Sequence, residues 1–172
     1  MTLFLAQGFE ATTVDEIAHS VGISRRSLFR YFSSKEDMAV ANVSERGRAV
    51  LRALEARPAD EGPWEALRAA AFESEEFDPS IAPEKMLRMS RLLRESPGLQ
   101  GFRLEKQKQW QDLLAPELAK RLVGSKDAEA SARGIVAAAL ACLDAAEDVW
   151  VARGGTGNVL DLFADMIAAI RE

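Results

Sequence analysis

Three features follow one another between residues 13 and 35, and together they restrict the fold more than any other part of the chain. Thr13 is placed to cap a first helix, and Glu16 completes a capping box three residues later. Gly22 then supplies a turn. The segment 24–35, SRRSLFRYFSSK, combines three arginines and a lysine with three aromatic residues. Two short helices joined by a three- or four-residue turn with glycine form a helix-turn-helix, whose second helix enters the DNA major groove.

Apolar residues in this region repeat at helical spacing and predict which sides are buried. Leu28 and Phe32 lie four residues apart and share one side of the second helix, which leaves its arginines free to face outward. Upstream, Leu3, Phe4 and Phe9 are predicted to join the same small core. The inner face of the first helix is predicted to carry Val14, Ile17, Ala18 and Val21.

The run LFLAQGFEATTVDEIAHSVGISRRSLFRYFSSKEDM resembles the N-terminal DNA-binding domain of the TetR family of one-component transcriptional regulators. The match extends without a gap from Leu3 to Met38 and keeps the spacing of G-F, T-T-V-x-x-I-A, V-G-I-S, the aromatic cluster and S-K-E. One departure is Phe29, where the family usually has a tyrosine that can donate to phosphate. We also expect a first helix shorter than is usual in the family, since residues 2–7 precede Gly8; basic residues common before this point in the family would add phosphate contacts.

The resemblance and the residue chemistry predict a set of DNA contacts. Arg25 and Arg26 are candidates for reading base edges, because one guanidinium can bind O6 and N7 of guanine together. The resemblance assigns a phosphate contact to Lys35, which lies at a helix N-terminus suited to anions. Phe29 is expected to contribute apolar contact only. Thr13 caps its helix, binds a phosphate, or does both. The remaining expected phosphate contacts are Ser24, Ser27 and Tyr31.

No strand-like alternation of useful length occurs, so we predict an all-α fold. A three-helix helix-turn-helix domain at 1–38 is followed by a connecting helix at 39–57 and a helical ligand-binding and dimerisation domain at 58–172. Ser34 is predicted to cap the connecting helix, with Glu36 and Asp37 in its first turn. Arg30 either faces solvent or pairs with Asp37. Further helices are predicted at 64–73, 83–95, 98–123, 127–153 and 159–171, the third kinked or split by Pro116.

Aromatic residues and methionines concentrate in the middle helices, where they can line an adaptable apolar cavity. The same residues also form ordinary cores, so both roles stay open. The resemblance implies a cavity for a small-molecule effector and does not identify the molecule. The candidate lining residues are Trp64, Phe72, Met86, Met89, Leu93, Phe102 and Trp110.

The last two predicted helices each carry a stripe of apolar side chains. Such an antiparallel pair resembles the dimerisation element of the family, in which two pairs form a four-helix bundle. The alternative is that both helices only close the core of the monomer. The candidate interface consists of Ile135, Ala139, Cys142, Ala146, Val149, Val159, Leu162, Phe163, Met166 and Ile170.

Composition excludes several other classes of protein. One histidine, His19, and one cysteine, Cys142, cannot assemble a structural zinc site, and neither is placed for a catalytic triad. We therefore predict no metal, no cofactor and no enzymatic activity. No apolar run approaches the roughly 20 residues that span a bilayer, and no signal peptide is found, which predicts a cytoplasmic protein without a membrane partner.

The charge distribution qualifies the prediction of DNA binding. The net charge is −5, yet the residues through Arg57 carry eight basic and seven acidic side chains. Attraction to phosphate must therefore come from the local cluster of arginines. The sequence predicts a homodimeric regulator of the TetR type, bound to a double-stranded DNA operator and most often repressing until a small molecule releases it. The alternative is a small-molecule-binding or protein-interaction dimer that no longer binds DNA.

Overall fold

The computed structural model describes residues 1–74 and 83–171, the side chains of residues 42–44 and 83 excepted. These residues form helices and no strand, which confirms the predicted all-α class. The pair Asp78-Pro79 predicts a break between the helices at 64–73 and 83–95, and this position lies outside the described residues, as does the aromatic Phe77. The helices are α1 (Thr2–Gln7), α2 (Val14–Ser20), α3 (Arg25–Leu28), α4 (Lys35–Ala56), α5 (Pro63–Glu73), α6 (Pro83–Glu95), α7 (Pro97–Ala119), α8 (Ala128–Ala152) and α9 (Val159–Arg171).

The N-terminal helices enclose a small core of their own, which we call the head core. Its buried members include Phe4, Phe9, Ala18 and Leu28, with Val14, Ile17 and Phe32 partly buried against them. Leu3 is half-buried. The prediction for Val21 is wrong, since its side chain is 59% exposed. Helix α2 ends at Ser20, so Val21 belongs to the turn, where helical spacing no longer predicts direction.

Helix α4 connects the head core to the larger core of the body. Met38 and Val40, near its start, are buried in the head core. Val50 and Leu54, near its end, are buried in the body core. Along its length α4 packs on α7, which packs on α8, and α8 packs on α9. A movement of α4 relative to α7 therefore changes the position of the head on the body.

Helix α7 differs from its prediction at its C-terminal end. It continues unbroken through Pro116, so the predicted split does not occur, and Pro116 lies exposed near the last turn. The helix ends at Ala119 rather than at Val123, because Lys120 forms its C-cap and the chain then turns towards Gly124, whose φ is 90°. The predicted helices at 83–95 and 159–171 match α6 and α9.

Candidate nucleic-acid interface

The two helices of the predicted motif are fixed to each other by local hydrogen bonds. Thr13 Oγ1 accepts a bond from the backbone N–H of Glu16 at 3.2 Å, and the Glu16 carboxylate accepts one from the Thr13 N–H at 2.8 Å. This confirms the capping box, and these bonds lower the pKa of Glu16. Gly22 has a φ of 69°, in the left-handed region that favours glycine. The Ile23 N–H then donates to the Ala18 carbonyl at 3.1 Å and sets the direction of α3.

Helix α3 covers only part of the arginine-rich segment 24–35 that was predicted to form the second helix. It comprises four residues, Arg25 to Leu28, and Phe29 is its C-cap. Ser24 caps it by accepting from the Ser27 N–H at 3.1 Å, and the hydroxyls of Ser24 and Ser27 are 2.9 Å apart. Ser24 and Ser27, two of the predicted phosphate ligands, therefore already take part in the cap of α3. Tyr31 lies outside α3, in the short connection between the C-cap Phe29 and Ser34, which is the N-cap of α4.

Arg25 and Arg26 lie in this short helix and are exposed. The Arg25 Nη1 is 3.2 Å from the Asp15 carboxylate, and its guanidinium lies 5.6 Å from the centre of the Phe29 ring. Side chains of both Arg25 and Asp15 are more than half exposed, so this ion pair contributes about 0–1 kcal/mol and can be exchanged for DNA.

Arg30 and Tyr31 form an exposed pair beside α3. The guanidinium lies 5.7 Å from the centre of the tyrosine ring, which is 70% exposed. Of the two alternatives for Arg30, the structure shows the solvent-facing one, since the Asp37 carboxylate accepts from Ser33 and Lys106. The hydroxyl of Tyr31 is thus open to a phosphate.

Lys35 points towards the interior of the head. Its Nζ donates to the carbonyls of Phe9 and Thr12 at 2.9 and 3.1 Å and lies 4.2 Å from the centre of the Phe9 ring. Two of the three donors of its ammonium group are thereby used within the protein. Because the partners are more than 20 residues away in sequence, no local pattern could have predicted this.

A partly buried ion pair links the end of the head to α7. Lys106 is 9% exposed, and its Nζ lies 3.4 Å from Asp37 Oδ1. The Asp37 Oδ2 accepts from the Ser33 N–H at 3.0 Å, and this bond is the main reason that the pKa of Asp37 is lowered. Sequence reasoning missed Lys106, because a lysine among glutamines and glutamate in a helix is typical of a solvent-facing side.

A cavity of about 130 Å³ lies in the body between α4, α6, α7 and α8. Four predicted residues line it, namely Met86, Met89, Leu93 and Trp110. Three others do not: Trp64 and Phe72 pack against the body core, and Phe102 packs against the head core. Sequence reasoning missed the polar residues of the lining, because charged residues on amphipathic helices are typical of a solvent-facing side. These polar residues are Arg46, Ser90, Arg94, Arg103, Gln107, Asp144 and Glu147.

The predicted interface residues of α8 and α9 divide into two groups. Five are buried within the chain, and they are Ala139, Cys142, Ala146, Val159 and Phe163. Burial also raises the pKa of the Cys142 thiol. The others remain half-buried, apart from the exposed Ile170; they are Ile135, Val149, Leu162 and Met166. The exposed side of α8 carries mainly small residues instead, at Gly134, Ala137, Ala141 and Ala145.

The parts of the chain that the structure describes contain neither a metal site nor a membrane-spanning helix. Within 1–74 and 83–171, no group of histidine, cysteine and acidic side chains is placed to hold a metal ion. None of the helices formed by these residues combines the length and the apolar character that crossing a bilayer requires.

A capped helix-turn-helix with exposed arginines, joined by one long helix to a helical body, defines the chain as a DNA-binding transcriptional regulator. Residues 1–41 match the model of the family described as bacterial regulatory proteins, tetR family, and residues 61–172 match that of the MftR C-terminal domain. The chain belongs to the TetR family, whose members are DNA-binding regulators and not enzymes.

Two curated relatives cover most of the chain. The HTH-type transcriptional regulator TcmR of Streptomyces glaucescens is 34% identical over 165 residues, which span 91% of this chain and 71% of the relative. The putative mycofactocin biosynthesis transcriptional regulator MftR of Mycobacterium tuberculosis is 33% identical over 122 residues, which span 71% of this chain and 61% of the relative.

Proposed function

We propose that this regulator binds a pseudo-palindromic DNA operator as a homodimer and is released from it by a small molecule. The observation that carries the proposal is the exposed pair Arg25 and Arg26 on a helix anchored by the buried Leu28. Such an anchor holds the guanidinium groups on a fixed side of the head. In a dimer, two such helices enter successive major grooves roughly 34–36 Å apart.

Base edges and phosphates are contacted by different residues in this proposal. Arg25 and Arg26 read bases, while Phe29 makes apolar contact beside them. The hydroxyls of Thr13, Ser24, Ser27 and Tyr31 bind phosphates and set the register of the head on the duplex. Lys35 acts mainly by holding the segment between α1 and α2 in place, and only its third N–H is available to a phosphate.

Dimerisation uses the exposed side of α8 together with Leu162, Met166 and Ile170 of α9, and gives a four-helix bundle. Repression is the mode of action we assign, in the cytoplasm where the operator lies. An effector in the cavity shifts α4 against α7 and thereby changes the spacing of the two heads. A coupling free energy of about 1–3 kcal/mol weakens DNA binding by about 5- to 150-fold.

DNA binding is tested with the purified chain and the intergenic DNA beside its own gene, across a salt series. With about three to five phosphates neutralised per protomer, log affinity against log salt should have a slope of roughly −5 to −9 for a dimer. Arg26→Ala should abolish the preference for that DNA over a scrambled duplex, and Arg91→Ala, an exposed arginine on α6, should not. Equal affinity of the unmodified chain for both duplexes would contradict the proposal.

A further inference from the structure

The cavity of about 130 Å³ has a charged end and an apolar end. Helices α7 and α8 run antiparallel along it, since Arg103 pairs with Asp144 and Asp112 pairs with Arg133. Trp110 lies two helical turns beyond Arg103, about 10 Å along the axis. There a smaller pocket of about 30 Å³, with a mainly apolar wall, shares Trp110 with the cavity. A molecule that extends from one end to the other must have a polar part and an apolar part.

The charges in the cavity wall do not cancel. Among the described residues, three arginines and two carboxylates line it, namely Arg46, Arg94, Arg103, Asp144 and Glu147. Asp148 also pairs with Arg94, but it lies outside the wall and its side chain is 61% exposed, so water screens its charge. A concave site lined by an excess of one charge attracts ligands of the opposite charge. The wall therefore favours an anion over a cation of the same shape.

Arg103 has N–H donors that the chain does not use. A guanidinium carries five N–H groups, and in the described part of the chain only the Asp144 carboxylate accepts from Arg103. The side chain of Arg103 lines the cavity and is 24% exposed. Arg94 differs, because it already donates to three carboxylates and its side chain is 9% exposed. Arg103 is therefore the arginine placed to bind a further acceptor.

Gln107 lies one turn beyond Arg103 on the same side of α7 and also lines the cavity. No group in the described part of the chain bonds to its side-chain amide. The amide N–H and the guanidinium can thus donate to one ligand group. A carboxylate suits both donors, because its two oxygens accept several hydrogen bonds and its charge balances the excess positive charge of the wall.

We propose that the cavity binds a monoanionic molecule, in which a carboxylate that accepts from Arg103 and Gln107 is joined to an apolar body about the size of one aromatic ring. A dry apolar cavity of about 150 Å³ holds benzene, which sets the scale of the body. Met86, Met89 and Trp110 offer polarisable surface that suits an aromatic ring. The inference rests on the effector half of the proposed function and names the chemical class of that effector.

Three probes of similar shape and different charge test the class of ligand by equilibrium dialysis at neutral pH without DNA. Phenylacetate is an anion, phenylacetamide is its uncharged counterpart, and phenethylamine is a cation. We expect saturable binding of phenylacetate, about fivefold or more tighter than that of phenylacetamide, because hydrogen bonds to a charged acceptor are stronger. Phenethylamine should bind most weakly. Absence of phenylacetate binding, or equal or tighter binding of either other probe, would overturn the proposal.

Arg103→Gln tests the named donor. We expect the variant to lose the preference for phenylacetate over phenylacetamide, while phenylacetamide binds within about twofold of the unmodified chain because the cavity persists. Arg91→Gln removes the same charge from the exposed side of α6 and should keep the preference. An undiminished preference in Arg103→Gln would overturn the assignment of this arginine.

Gln107→Glu tests the second position by changing its charge with little change of shape. The new carboxylate should repel phenylacetate and attract phenethylamine, so the ratio of their affinities should fall about tenfold or more. A gain in phenethylamine affinity cannot come from a damaged cavity. Gln100→Glu adds the same charge at an exposed site of α7 and should leave the ratio unchanged. An equal ratio in Gln107→Glu and the unmodified chain would show that Gln107 does not face the ligand.

Failure of this inference is distinguishable from failure of the proposed function. If the chain binds its operator but does not prefer phenylacetate, the ligand class falls and the DNA-binding half of the proposal stands. If the preference and its loss in Arg103→Gln are found but saturating phenylacetate leaves operator affinity unchanged, the ligand class is supported and release by this class of molecule is refuted.

Discussion

The indole of Trp110 lies against the α carbon of Gly47, and a β carbon built there would be 2.6 Å from the indole Nε1. Gly47 belongs to α4, the helix that joins head and body, and Trp110 belongs to α7. Trp110 also lines the cavity of about 130 Å³ and an open cleft of about 390 Å³ shared with Tyr31 and Lys106. A ligand that moves the indole therefore pushes on the connecting helix directly.

Gly47→Ala tests this close contact. The added methyl group meets ring atoms that cannot move aside easily, and overpacking of this kind destabilises by about 1–3 kcal/mol. Replacing glycine by alanine inside a helix stabilises by only about 0.5–1 kcal/mol, so we expect a net loss in urea unfolding. Gly101→Ala in α7 is the matched control, since nothing lies within 4 Å of its added carbon. Equal stabilisation by both substitutions would show that the contact is not made in solution.

Lys35→Met separates the internal role of this lysine from a phosphate contact. The methionine keeps apolar contact with Phe9, while the carbonyls of Phe9 and Thr12 lose their donor, which should lower the free energy of unfolding by about 1–3 kcal/mol. The salt slope of operator binding should stay unchanged. A phosphate contact would instead reduce the slope by about 1 per protomer. Lys108→Met, an exposed lysine in α7, should change neither stability nor slope.

Whether the sequence predicts an interaction depends on how far apart its two partners lie along the chain. The caps formed by Thr13 and Ser34 were predictable, because each side chain bonds to a backbone three residues away. Lys35 was not, because the carbonyls it binds lie on another segment. For the same reason, the sequence does not decide whether Cys142 belongs to a dimer surface or to the core: periodicity shows that one side of α8 is apolar, but not whether α7 and α9 or a second chain covers it.

Asp37→Asn should destabilise the junction of head and body. The Lys106 side chain is 11% exposed and would lose its charged partner, which costs about 1–3 kcal/mol in unfolding by urea. Adding Lys106→Met to this variant removes the stranded charge, so the double variant should recover part of the loss. No recovery would mean that Asp37 acts through Ser33 alone.

The same pair gives a pH dependence with a defined sign. The pKa of Asp37 lies below its ordinary value of 3.8, chiefly because the Ser33 N–H donates to it, so folding favours the ionised carboxylate. Its stabilisation is complete above the unfolded value and is lost as the pH falls through the folded one. The difference in stability between the unmodified chain and Asp37→Asn should therefore shrink below that ordinary value. If the difference in stability between the two proteins stayed constant during acid titration, the contribution of Asp37 would come from packing and not from its charge.

Asp15→Asn should strengthen DNA binding. The Asp15 carboxylate lies 3.2 Å from Arg25 and on the side of the head that faces phosphates in the proposed complex. Removing it frees the guanidinium and takes away a charge that repels phosphate, so affinity for the operator should rise at low salt. Asp60→Asn makes the same change of charge in the exposed loop before α5 and should have little effect in the same titration. Equal gains would attribute the effect to net charge.

Ala141→Glu tests the proposed dimer surface. Ala141 is exposed at the middle of α8, on the side with Gly134, Ala137 and Ala145. In a two-fold interface every substitution occurs twice, so two buried glutamates near the axis would oppose association. We expect sedimentation equilibrium to show monomers with unchanged helix content by circular dichroism. Operator affinity should fall steeply, because the second half-site is no longer bound by a linked head.

Ala59→Glu, the same exchange at an exposed site outside α8 and α9, should remain dimeric. If the Ala141→Glu variant remained dimeric, the interface would lie on another surface, and the small side chains of α8 would be exposed to solvent in the dimer.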